Sequence, residues 1–339
     1  MRRAAAATLL LVLALAAPAG AHEKPPRWIP VPTGSDQQYR GLDAVSKRVA
    51  WVGGSDGEVL RTTDGGATWQ DVSPPDTAGL QFRDVEAHGA RRASVMSIGE
   101  GEASRIYTTF DGGRSWRLAF ANADPAAFYD CMDFYPGGRR GLALSDPVGG
   151  KFRIAATDDW GRSWHVLPNH GMPPAVEGEF AFAASGTCLV ISGRDAWFAS
   201  GGGASRVFHS RDGGHTWKVT VAPIPATPAG GVFSLAFRNP HQGVMVGGDF
   251  EVPENGVDAS GYTRDGDRWK PGGDLTGYRS GVDWLGDDTL IAVGPTGSDV
   301  SYDGARRWRP FDSAPYDAVD CVRRTCWASG PEGAVAILR

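Results

Sequence analysis

The sequence predicts an all-β chain folded as a seven-bladed β-propeller of four-stranded blades, the last blade closed by the N-terminal strand. Three observations carry this expectation. A short turn motif recurs six times, the copies are spaced as four-stranded blades require, and each end of the chain supplies part of one further blade. Composition agrees. With 29 Asp against 10 Glu, and with 47 Gly, 23 Pro and 12 Trp, the chain favours tight turns between short strands over helices.

The chain opens on Met1-Arg2-Arg3, an apolar run from Ala4 to Ala17, and the small-residue site Ala19-Gly20-Ala21. This is the pattern of a signal peptide over residues 1–21, cleaved before His22, and it predicts a secreted or periplasmic protein. An uncleaved anchor is the alternative, but the run is shorter than the ~20 residues that span a bilayer. Residues 22–339 then form a single propeller domain, expected to be monomeric, with no later segment apolar enough to cross a membrane.

In blade one, Tyr39 to Val45 starts the inner strand, Ala50 to Gly53 forms the second, and Glu58 to Thr62 forms the third, which runs into the turn Thr62-Thr63-Asp64-Gly65-Gly66-Ala67-Thr68-Trp69. The turn returns around Asp111 and Trp116, Asp159 and Trp164, and Asp212 and Trp217. Two worn copies follow, around Asp265 and Trp269 and around Asp303 and Trp308. Successive motif tryptophans are separated by 47, 48, 53, 52 and 39 residues. In each copy Asp is suited to bond the turn backbone, Gly to supply positive φ, Ser or Thr to bond back across the loop, and Trp to bury a ring between sheets. A calcium loop would need more acidic ligands and a closing Glu, so the motif reads as scaffold.

Equivalent inner strands start at Phe82, Tyr129, Val232, Tyr278 and Tyr316, and Phe180 to Ala183 is expected to start blade four. The seventh blade is split. Asp317 to Cys321, Cys326 to Gly330 and Gly333 to Leu338 give three strands, and Arg27 to Val31 resembles the strand that follows a turn motif. Joining them closes the ring and removes its open edges; six or eight blades are the alternatives. Four cysteines in an exported chain suggest two disulfides rather than four free thiols. Cys321 and Cys326 flank a hairpin turn, which leaves Cys131 with Cys188 if these lie on neighbouring blades. None has zinc-site spacing.

The turn motif resembles the Asp-box, or BNR, repeat of sialidases, sortilin-type receptors, xyloglucanases and photosystem II assembly factors. The D-G-G-x-[ST]-W boxes, with the strand starts Tyr39-Arg40, Phe82-Arg83 and Tyr278-Arg279, make the whole mature chain look most like the photosystem II assembly-factor type. That resemblance implies the propeller fold and an assembly or binding style of action. Phe152-Arg153-Ile154-Ala155 is similar to the sialidase F-R-I-P signature, but it lacks the proline and falls on the third strand of blade three.

Aligning the inner strands sets Arg40, Arg83, Asp130, Arg279 and Asp317 at one level, where they could line the channel mouth and hold an anionic or mixed-charge partner, the alternative being that they pair with one another around the rim. A second recurring position, Asp43, Glu86, Asp133, Asp283 and Asp320, reads as structural, because catalysis needs asymmetry rather than five copies. No Rossmann fingerprint, G-x-S-x-G elbow or metal spacing appears, and no cofactor is expected. A net charge of -5 without a basic stripe argues against nucleic acid. The leading expectation is a non-catalytic binding module for a protein or peptide. The alternative is a glycoside hydrolase acting on carbohydrate, which would need two carboxylates at a fixed separation. The long linkers Ala121 to Ala127, Pro168 to Gly178 and Asp249 to Ala259 are further places for specificity.

Overall fold

The smallest ordered unit is the aspartate turn. Asp64 Oδ1 accepts the Thr68 N–H at 2.9 Å and Oδ2 accepts the Thr68 hydroxyl at 2.6 Å, while the Thr62 hydroxyl oxygen accepts the Gly66 N–H at 2.9 Å. Asp111, Asp159 and Asp212 repeat this set with Ser115, Ser163 and Thr216. In the worn copies an arginine replaces the hydroxyl: Arg268 Nε donates to Asp265 at 2.7 Å and Arg307 Nε to Asp303 at 2.8 Å. The second glycine cannot be replaced freely in blade one, because Gly66 has φ 80° and a Cβ there would meet Val31 at 2.8 Å.

A computed structural model describes residues 26–339; the predicted signal segment lies outside them. The strands assemble into seven antiparallel sheets around a central channel. Their inner strands are Tyr39–Asp43, Gln81–Ala87, Tyr129–Phe134, Leu189–Ser192, Gly230–Asn239, Gly281–Trp284 and Ala318–Val322. The seventh blade is completed by Trp28–Pro30, which pairs Trp28 with Leu338, Ile29 with Ile337 and Pro30 with Ala336. Trp28 is buried there against Tyr316, with ring centroids 5.4 Å apart, and donates its indole N–H to Ser298 in blade six. Apolar clusters fill the wedge between each pair of neighbouring blades, and Trp51, Trp197 and Trp327 are fully buried in them. Each such ring removes roughly 200 Å² from water, about 5 kcal/mol of transfer free energy.

Blade four begins at Leu189, not at Phe180 to Ala183 as the repeat suggests. Glu179–Phe180 instead pairs with Gly201–Gly202, which in turn pairs with Gly231 of blade five. The Glu179 carboxylate fixes this detour by accepting bonds from the Ser200 hydroxyl, the Val176 N–H and the Arg206 guanidinium. The chain then arches over the channel mouth before descending into the blade. Phe152 to Ala155 lies in the third strand of blade three, Lys151–Thr157.

Two disulfides reinforce the ring. Cys131–Cys188 joins blades three and four across 57 residues, and Cys321–Cys326 ties the hairpin of blade seven between directly paired residues. Among the described residues no helix is long and apolar enough to cross a membrane.

Candidate binding site at the channel mouth

The residue after each inner-strand aromatic was expected at one level. The structure divides these five side chains. Arg40, Arg83 and Asp317 line a cavity of about 470 Å³ at the mouth, together with Gln38, Phe182, Phe233, Phe250, Tyr278 and Tyr316. Arg279 does not reach it. Its guanidinium is 0% exposed, held by Asp299 at 2.7 Å from Nε, with Thr276, Thr296 and the Tyr278 carbonyl taking the remaining N–H groups. Its register accounts for this: the Arg279 N–H bonds the Gly247 carbonyl of blade five as the Tyr39 N–H bonds that of Gly330 in blade seven, so Arg279 stands at the level of Tyr39 and Ser280 at that of Arg40. Asp130 also lies beneath the surface, 1% exposed, with Oδ2 unpartnered. Burial, then the charge of Asp146, pushes its carboxyl well above the usual range, which favours the neutral acid.

The charge that faces the cavity is therefore that of two arginines against one aspartate. Arg40 Nη2 stands 3.6 Å from Asp317, whose other oxygen accepts from Gln38, and Arg40 Nε has no partner. Arg83 bonds only neutral acceptors, the Ala183 carbonyl at 3.1 Å and the Gln81 side chain at 2.8 Å. Burial and the neighbouring Arg40 charge bring it down to about 10, so it stays a cation near neutrality without a carboxylate of its own. An anion delivered between these guanidiniums would offset the excess of two positive charges over one negative.

The opposite wall is apolar. The arch after Phe180 is tied by Asp146, which accepts the Ala181 N–H, and by Arg83 at Ala183, and it lays Phe182 on Phe233 with ring centroids 3.6 Å apart. Tyr278 and Phe250 meet Phe233 edge-on at 4.6 and 6.3 Å. Sequence reasoning missed this wall, although one signal was available: Phe233 occupies in blade five the level that Arg40 and Arg83 occupy in blades one and two.

Deeper in the channel, the second acidic position stitches neighbouring blades together. Asp43 accepts the Ala87 N–H, Asp133 that of Ile191, Asp283 that of Cys321 and Asp320 that of Ala44, all at 2.5 to 2.7 Å. In blade two this role falls to Asp84, which accepts from Met132, and not to Glu86. Burial raises all of these carboxyls, Asp133 to about 7, and the charges of neighbouring carboxylates add to the shift at Asp43, Asp84, Asp133 and Asp283. Among the described residues no group of His, Cys, Asp and Glu is arranged to hold a metal ion, and His165 and His170 are both exposed.

No family model matches the chain, and no curated protein matches it. Solved structures similar to it are propellers. YCF48 bound to D1 peptide shares 15% identity at a TM-score of 0.65, covering 95% of this chain and 99% of that one. YCF48 from Cyanidioschyzon merolae shares 16% at 0.64, covering 91% and 98%. The Neurospora crassa Pan2 WD40 domain shares 13% at 0.60, covering 89% of each. At these identities the likeness is one of fold.

Proposed function

We propose that the protein is an extracytoplasmic binding or assembly module that holds an acidic segment of a protein or peptide partner at the channel mouth. One observation carries this reading: the cavity sets two guanidiniums, Arg40 and Arg83, against the single carboxylate of Asp317 and faces them with the Phe182–Phe233–Phe250 wall. A carboxylate beside a large apolar side chain would satisfy both sides at once. Support comes from YCF48, a propeller of similar fold that is bound to a D1 peptide, and from the resemblance of the turn repeat to that of photosystem II assembly factors. Two disulfides and the signal-like first residues support an oxidising, extracytoplasmic setting. Glycoside hydrolysis gains no support from the cavity, whose lining contains a single carboxylate, Asp317.

The test is fluorescence anisotropy with synthetic peptides ending in Phe-Glu or Leu-Asp, compared with peptides in which the acidic residue and the C-terminus are amidated. Binding should weaken as salt rises, and Arg83→Ala should cost roughly 10- to 100-fold in affinity, the worth of a charge-assisted pair. Equal affinity for the acidic and the amidated peptides would defeat the reading.

A further inference from the structure

The linker Asp249–Ala259 ends one wall of the cavity and carries three large apolar side chains into solvent: Phe250 is 51% exposed, Val252 53% and Val257 61%. Looseness does not explain them, because the loop is pinned along its length. Phe250 N–H donates to the Ala229 carbonyl, Tyr278 N–H to that of Pro253 and Leu275 N–H to that of Gly256. Inside the loop, the Asp249 carboxylate accepts from the Thr227 hydroxyl and the Glu251 N–H, and Asn255 Oδ1 accepts the Val257 N–H. A Cβ at Gly256 would stand 2.1 Å from the Leu275 carbonyl, so the chain is packed tightly there. A loop held this closely that turns three large apolar side chains to solvent within eight residues is a contact surface.

Its charge narrows the choice of partner. Residues 249–259 include Asp249, Glu251, Glu254 and Asp258 and no Lys or Arg. Glu251, Glu254 and Asp258 are exposed and take part in no salt bridge among the described residues. An anionic lipid surface would be repelled by such a loop, whereas Lys or Arg set between apolar residues would complement it. Phe250 belongs to the cavity lining, but Val252 and Val257 lie beyond it.

We infer that the ligand is a polypeptide longer than the cavity, which leaves the mouth across the Asp249–Ala259 loop and lays on it apolar side chains interleaved with Lys or Arg. The inference rests on the reading of the mouth as a peptide site and adds the direction and chemistry of the rest of the ligand. Two synthetic peptides test it by anisotropy: a short one ending in Phe-Glu, and the same peptide extended by alternating Val and Lys. The extended peptide should bind about tenfold more tightly. Val252→Ser/Val257→Ser should abolish that gain and leave the short peptide unaffected. Glu251→Gln/Glu254→Gln should weaken the lysine extension but not its Val-Gln counterpart.

Equal affinity for the two lengths, or a gain that survives the valine substitutions, overturns the inference while leaving the cavity reading intact. Extended-peptide binding that depends on the valines but not on Arg83 would instead keep the surface and sink the cavity reading. Failure of both peptides to bind removes both. Binding to phosphatidylcholine–phosphatidylglycerol vesicles through Val252 and Val257 would also overturn it, in favour of a membrane surface.

Discussion

Arg40 and Arg279 show how a one-residue difference in register separates two similar Tyr-Arg pairs. Both follow an inner-strand tyrosine, yet Arg40 faces the cavity while Arg279 is enclosed beside Asp299. Their substitutions should separate cleanly. Arg279→Ala strands the Asp299 carboxylate in the interior and should cost about 3–5 kcal/mol of stability. Arg40→Ala should change stability by no more than about 0.5 kcal/mol, since its pair with Asp317 is partly solvated. Urea midpoints of the two variants check this, and similar midpoints would mean that the Arg279 clamp is not a structural element. Aligning the Tyr-Arg pairs set these two residues at one level, which the register corrects: Asp283 lies four residues after Arg279, whereas Asp43 lies three after Arg40, and neither spacing shows a residue's partners. Asp299 sits between Ser298 and Val300 in the third strand of blade six, and no local pattern ties it to a residue two strands away.

At the level of elements, the aspartate turns were readable because all their chemistry is local: donor, acceptor and glycine lie within eight residues. The seventh blade was readable because three late strands and one early strand, each lacking a partner, have only one way to lose their edges. The arch after Phe180 was not readable. Its apolar residues look like an inner strand, and only the rim contacts of Glu179 and the seat of Phe182 on Phe233 draw it out of the sheet. The disulfides permit a graded forecast from chain entropy. Opening Cys131–Cys188, which spans 57 residues, should cost about 4 kcal/mol, whereas opening Cys321–Cys326, which spans 5, should cost about 2 kcal/mol. Paired Cys→Ser variants compared by calorimetry measure the difference, and a larger loss from the hairpin bond would contradict the loop-closure account.

For the whole ring, two sets of carboxylates pull the pH profile in opposite directions. Asp64 and Asp111 are held at about 2 by the hydroxyls and N–H groups of their turns, so their contribution is present above the ordinary carboxylate range and lost as pH falls through about 2. The channel carboxyls are raised, Asp133 to about 7, so the folded ring holds those protons more tightly than the unfolded chain. Their contribution is therefore full below about 4 and lost as pH rises through about 7. Stability should fall as pH is raised from about 5 to about 8, and Asp133→Asn should flatten that fall. Urea midpoints across this range decide it; a profile that rises over the same interval would show that the channel carboxyls are ionised and well solvated.

Trp28 pairs with Leu338, 310 residues further along the sequence. Translation delivers Trp28–Pro30 long before Ala318–Leu338, so six blades can form while the outer strand of the seventh waits for the three strands it completes. Contacts this distant in sequence make the final step slow, in keeping with the high contact order of ring-closing β topologies. Until then the nascent chain carries two unpaired strand edges, one at each end of the open arc. Truncation by even the last few residues should thus be felt as aggregation during biogenesis, well before any loss at the channel mouth.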